Sequence, residues 1–145
     1  MQKPFVNAMA AALVAAGATA CSSPSASPPP RALPAGTARV TINARDLPAT
    51  TAVKCAPIGS LTTITTGDTA AGVTALVSNE TGLTAKSVTI TDVGGFTGSY
   101  MNGLGGKADV SMAGRTYIIR GTADGFDTDN PSVRTTGTFA IHVAC

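Results

Sequence analysis

The chain has 145 residues, 43% hydrophobic, 12% charged and 4% aromatic, with 16 Gly, 9 Pro and no Trp, a length that supports one modest domain. Ten basic residues stand against eight acidic ones; setting aside Lys3 and Arg31, which fall in the N-terminal segments, leaves eight against eight. That balance lacks the clustered cations that neutralise phosphates and excludes a nucleic-acid partner, while a single His without a Cys/His cluster excludes zinc sites and most acid–base or nucleophilic catalysis near neutral pH.

Residues 1–20 read MQKPFVNAMAAALVAAGATA: one Lys near the start, an apolar run from Ala8 to Ala16, then small residues up to Cys21. This is the layout of a secretory signal, and the run is too short for a hydrocarbon core that needs about 20 apolar residues. Ala18-Thr19-Ala20 fits an ordinary cleavage site, and Ala18-Thr19-Ala20-Cys21 also fits a lipobox, in which the thiol after the cut is thioether-linked to diacylglycerol. Both readings cut the same bond. They differ in whether Cys21 is lipidated or is a free thiol on a secreted chain.

The cysteine count bears on that choice. Cys21, Cys55 and Cys145 are an odd number, and an exported chain lives where disulfides persist. Lipidation of Cys21 resolves the parity and leaves Cys55 and Cys145 to pair; the alternative is two buried free thiols. From Ser22 to Gly36 the chain reads SSPSASPPPRALPAG, too poor in large apolar side chains to offset its ordering entropy. Residues 21–37 are therefore expected to be a disordered tether, one whose Ser and Pro content also suits O-linked sugars.

From residue 38 to 145 the dominant pattern is period two. Val40 and Ile42 alternate with Arg39, Thr41 and Asn43; Val88 and Ile90 alternate with Ser87, Thr89 and Thr91. Phe139, Ile141, Val143 and Cys145 fall opposite Thr138, Ala140, His142 and Ala144. Such alternation turns one face to a core and the other to water, and abundant Thr suits a pleated surface. Strands are expected at 38–43, 52–57, 60–66, 72–78, 85–93, 97–101, 107–113, 115–123 and 137–145, with a short helix over Ala70–Leu76 as an alternative. Turn signals separate them at Gly67-Asp68, Asn79 to Gly82, Gly94-Gly95, Asn102 to Gly106, Ala113-Gly114 and Asp124 to Pro131. Short strands at this spacing imply an all-β fold, a small antiparallel β-sandwich or barrel-like domain.

Few side-chain groups suggest chemistry. Asn102-Gly103-Leu104-Gly105-Gly106-Lys107 fails as a phosphate loop, because Met101 and Ala108 stand where Gly and Ser or Thr are required, and it reads as a hairpin loop. Asp127, Asp129 and Asn130 bring oxygen ligands together, but without EF-hand spacing or a closing Glu they read as a capped, solvated loop. His142 has no Ser-His-Asp or Cys-His partners and reads as a solvated strand residue. Asp92 shares the side of Val88 and Ile90, so it either ends its strand or is buried with a partner. Asn79-Glu80-Thr81 matches the N-glycosylation pattern and reads as a turn. No catalytic residue, metal site or cofactor is expected.

The run Gly114-Arg115-Thr116-Tyr117-Ile118-Ile119-Arg120-Gly121-Thr122-Ala123, then Gly125-Phe126-Asp127 and Asn130-Pro131, and the ending Phe139-Ala140-Ile141-His142-Val143-Ala144-Cys145 resemble the mycobacterial nineteen-kilodalton lipoprotein antigen family. The resemblance covers roughly residues 38–145 together with the signal architecture. It implies a lipid-anchored protein at the extracytoplasmic face of the cell membrane, a Cys-terminated β domain, and an acylated N-terminus recognised by host innate receptors. It supplies no enzymatic activity. The expected function is that of a non-catalytic envelope lipoprotein, its partners the membrane and a host receptor or envelope glycolipid. The alternative is a periplasmic-type module carrying a lipid or glycan in a cleft.

Overall fold

A computed structural model describes residues 31–145. The expected signal segment, Cys21 and residues 22–30 of the tether lie outside the described residues.

Ten strands follow in chain order: β1 (Ala38–Ile42), β2 (Arg45–Asp46), β3 (Val53–Ile58), β4 (Leu61–Gly67), β5 (Gly72–Ser78), β6 (Thr84–Val93), β7 (Phe96–Met101), β8 (Ala108–Ala113), β9 (Thr116–Asp127) and β10 (Arg134–Ala144). There is no helix among the described residues; Ala70–Leu76 gives way to β5, whose Val73, Ala75 and Val77 are buried on one face. All pairings are antiparallel, in the order β2-β1-β10-β9-β7-β6-β5-β4-β3, and the sheet curls into a half-barrel. Strand β8 branches from this path. It pairs with the first half of β9, from Thr116 to Gly121, while β7 pairs with the second half, from Asp124 to Asp127.

The concave face holds the core. Val40 and Ile42 of β1, Phe139, Ile141 and Val143 of β10, Ile119 and Ala123 of β9, Phe96 and Tyr100 of β7, Val88 and Ile90 of β6 and Ile64 of β4 are all buried in one cluster. Period-two alternation explains the set, since each strand contributes every second residue. Two bulges break the alternation, both on β6: Lys86 is the extra residue opposite Leu76 and Val77 of β5, and a second irregularity lies between Ile90 and Val93. The second bulge decides between the two options for Asp92. It is the penultimate residue of β6, at the strand end, and it is exposed rather than buried, with positive φ (45°), its N–H donating to Thr97 Oγ1 and its carboxylate accepting from Thr128 Oγ1.

The hairpin of β9 and β10 is longer than its turn residues suggest. Asp124–Asp127 and Arg134–Gly137 are paired strand, leaving only residues 128–133 as loop. Two features favour the extension: Thr135 and Thr136 suit a pleated backbone, and Thr136 Oγ1 donates to Asp124 Oδ1 across the strands. The two-residue β2 had no apolar alternation to announce it. Asn43 and Ala44 both adopt positive φ (50° and 62°), the backbone of a tight hairpin turn, and Thr41 Oγ1 donates to Asp46 Oδ1.

Candidate functional site

A half-barrel leaves two sheet edges to be managed, here β1–β2 and β3. They meet at a seam. Ala38 and Thr50 exchange backbone hydrogen bonds of 2.9 Å in both directions, linking the start of β1 to the segment that leads into β3. Beside this bridge, Cys55 of β3 is disulfide-bonded to Cys145, 90 residues away, with a Cα–Cα distance of 6.0 Å. Pro57 is tolerated in β3 because that strand is an edge.

On the convex face, the order β1-β10-β9 sets Arg39 opposite His142 and Arg120 opposite Ala140. The segment before β1 runs back along β9: Leu33 N–H donates to the buried Thr116 Oγ1 at 2.9 Å, and Gly36 N–H donates to Ala144 O. This brings Arg31 to the same face. The result is a groove of about 400 Å³ lined by Arg31, Ala32, Leu33, Arg39, Thr41, Asp46 and His142. Burial lowers the His142 pKa below its ordinary 6.5, and the nearby guanidinium groups of Arg120, Arg31 and Arg39 lower it further. His142 is thus a neutral imidazole at pH 7 in a cationic setting, suited to accept a hydrogen bond or to respond to a bound anion.

The sign of its linkage follows. The unfolded chain takes up the His142 proton near 6.5 and the folded chain only at lower pH, so the unfolded state holds more protons in between. Stability is therefore complete above about 6.5 and falls as pH drops through the folded value. An NMR titration of the single His should give a midpoint below 6.5, and Arg120→Ala should move it upward. A midpoint at or above 6.5 in the wild type would remove the cationic groove as its cause.

The remaining candidates lie apart from this groove. Asp127 ends β9, and its carbonyl accepts from Asn130 N–H in an exposed turn; no group of three His, Cys, Asp or Glu side chains is placed to hold a metal among the described residues. Asn102–Lys107 is an exposed connection between β7 and β8, and Asn79–Thr81 an exposed turn between β5 and β6. His142 does not join Asp127 or Asp129, which lie at the far end of the β9–β10 hairpin. Nothing in the sequence marked Arg31, Arg39 and Arg120 as neighbours of His142. Outward parity of Arg39 and His142 was visible, but their adjacency depends on strand order.

Seam, groove and core together define a class: a lean, disulfide-closed β half-barrel whose described residues carry no assembled catalytic constellation. Comparison with known proteins gives the family. The chain belongs to the Mycobacterium 19 kDa lipoprotein antigen family, whose profile matches residues 31–145. A protein of Mycobacterium avium subsp. hominissuis named as a lipoprotein is 36% identical over 146 residues, covering 100% of this chain and 97% of the relative. Another from Mycobacterium indicus pranii is 40% identical over 110 residues, 75% of this chain and 78% of the relative. Lipoprotein LpqH of Mycobacterium tuberculosis is 33% identical over 108 residues, 74% of this chain and 68% of the relative.

Proposed function

We propose that the chain is exported, cleaved before Cys21, acylated on the Cys21 thiol and held at the extracytoplasmic face of the cell membrane as a non-catalytic surface lipoprotein. The observation that carries this reading is the cysteine assignment: the Cys55–Cys145 bond uses two of the three thiols and leaves Cys21, at the lipobox position, as the one to be modified. Membership of a lipoprotein antigen family agrees with it. One acyl chain binds a bilayer marginally, whereas two or three, at about 0.8 kcal/mol per buried methylene, anchor it stably. The acylated N-terminus is the part that host innate receptors would recognise.

Detergent phase partitioning tests the anchor. Wild type should enter the detergent phase and Cys21→Ser the aqueous phase, and the intact mass of the mature protein should carry the acyl increment only in the former. A Cys21→Ser protein that stays as firmly membrane-associated as wild type would defeat the proposal. A carrier reading has one observation in its favour. The groove beside His142 has the size and cationic lining to seat the anionic headgroup of an envelope glycolipid, and native mass spectrometry would detect such a molecule if it co-purifies.

A further inference from the structure

We propose that the groove on the convex face binds a phosphate- or sulfate-type oxyanion together with a proton: the anion lies among Arg31, Arg39 and His142, and the imidazole is protonated as the anion arrives. This rests on the second reading above, in which the groove seats a headgroup, and not on acylation of Cys21.

Strand order builds the site. His142 faces outward on β10 with Arg39 directly across on β1. Arg120, opposite Ala140 on β9, is its diagonal neighbour on the other side. Opposed Cβ atoms in such pairs are about 5 Å apart and diagonal ones about 7–8 Å, both within reach of a long guanidinium side chain. Arg31 arrives from a third direction, because the leading segment is fastened to the body by the Leu33–Thr116 and Gly36–Ala144 hydrogen bonds and lines the groove with Arg39, Thr41 and His142. Three cations from three separate segments therefore surround one imidazole.

The charges around that imidazole are unequal. Asp46 is the one carboxylate in the groove lining, and its Oδ1 accepts from Thr41 Oγ1 at 2.6 Å. Asp109 stands opposite Arg120 on β8, across β9 from β10, and Arg45 and Arg120 lie outside the lining. Burial, then Arg120, Arg31 and Arg39, hold the His142 pKa below 6.5, and no carboxylate opposes them there.

Such a setting favours an anion whose arrival changes the proton balance. Neutral imidazole offers one N–H and one lone pair, and the lone pair repels an oxyanion; the protonated ring offers two donors. Guanidinium forks add parallel hydrogen bonds to two oxygens of a tetrahedral oxyanion. The bound anion offsets the guanidinium charge and pairs with the imidazolium, so the complex takes up the His142 proton at higher pH than the free protein does. By linkage, affinity rises as pH falls through the midpoint of the complex and levels off below that of the free protein.

His142 is the single histidine, so its ring protons report on the site directly. The mature full-length chain carrying Cys21→Ser is titrated by NMR from about pH 8 to about pH 5 in chloride and, at equal ionic strength, in sulfate, whose own charge is constant over that range. Sulfate should raise the His142 midpoint by about one pH unit, and it should bind about tenfold more tightly at the acid end than at the alkaline end. Arg39→Ala should raise the midpoint in chloride and abolish the further rise in sulfate. Asp46→Asn, which keeps an oxygen for Thr41 Oγ1, should tighten sulfate binding about two- to fivefold, the scale of an exposed charge pair. Arg134→Ala, at the far end of the β9–β10 hairpin, should change neither quantity. Glycerophosphoglycerol and monomeric dihexanoyl phosphatidylglycerol then distinguish the sources of the anion, since only the second carries acyl chains. Tighter binding of the lipid supports a headgroup site; equal binding supports a site for a water-soluble phosphodiester and ends the carrier reading. A midpoint that sulfate and both phosphodiesters leave in place, an equal sulfate shift in wild type and Arg39→Ala, or an affinity independent of pH would overturn the proposal. None of these results depends on acylation, so a failure here and a failure of the Cys21→Ser partitioning test are distinguishable.

Discussion

Replacing Cys55 and Cys145 together by Ala should lower the unfolding free energy by about 4 kcal/mol, the loop-closure entropy of a cross-link spanning 90 residues. For a domain of this size total stability is about 5–15 kcal/mol, so the variant should sit near the edge of folding. The geometry argues for the full effect. The bond spans the seam between the strand at one edge of the sheet and the end of β10, where the other cross-connection is the Ala38–Thr50 backbone bridge. Without it the β3–β4 hairpin keeps its pairing to β5 but loses its covalent tie to the β1–β10 side. Urea denaturation of wild type, reduced wild type and the double variant, with equal m-values, measures the difference. A loss under about 1 kcal/mol would show that the backbone bridge holds the seam unaided.

Phe96→Ala should cost about 3–5 kcal/mol, the range for deleting a large buried aromatic. Phe96 is the largest fully buried side chain among the described residues, and its ring occupies space that two glycines leave open, one on its own strand and one on β10. A Cβ placed on Gly98 of β7 would come within 2.6 Å of the ring, and one on Gly137 of β10 within 2.7 Å. The aromatic thus fills a slot across β7, β9 and β10, and in a chain with 4% aromatic residues few other side chains are large enough to replace it. Gly137→Ala should destabilise through the same contact by pushing the ring from its place. Thermal or urea unfolding of the two variants and their combination should show strong non-additivity, because after Phe96→Ala the extra methyl meets a void. Additive losses would mean that the two positions are uncoupled.

Much of this was legible locally. The alternations of Val40 with Ile42 and of Val88 with Ile90 located strands and core faces, because a pleated backbone has a period of two whatever its partners are. Three cysteines in an exported setting sufficed to suggest the Cys55–Cys145 pair. The extension of β9 through Asp124–Asp127 was hidden, since Asp and Gly mark turns unless a partner strand, here β7 and β10, supplies hydrogen bonds. Asp92 was placed on the core side because parity counting cannot foresee a bulge.

By itself, then, the order of residues determined the all-β class, the approximate positions of most strands, the lean aliphatic interior and the distinct role open to Cys21, all of which depend on composition and near-neighbour spacing. Strand order, the seam and the cationic groove at His142 were decided only by the tertiary structure. Each of these joins residues tens of positions apart, and the distance between such residues is set by pairing and curl of the sheet, quantities that no local pattern encodes.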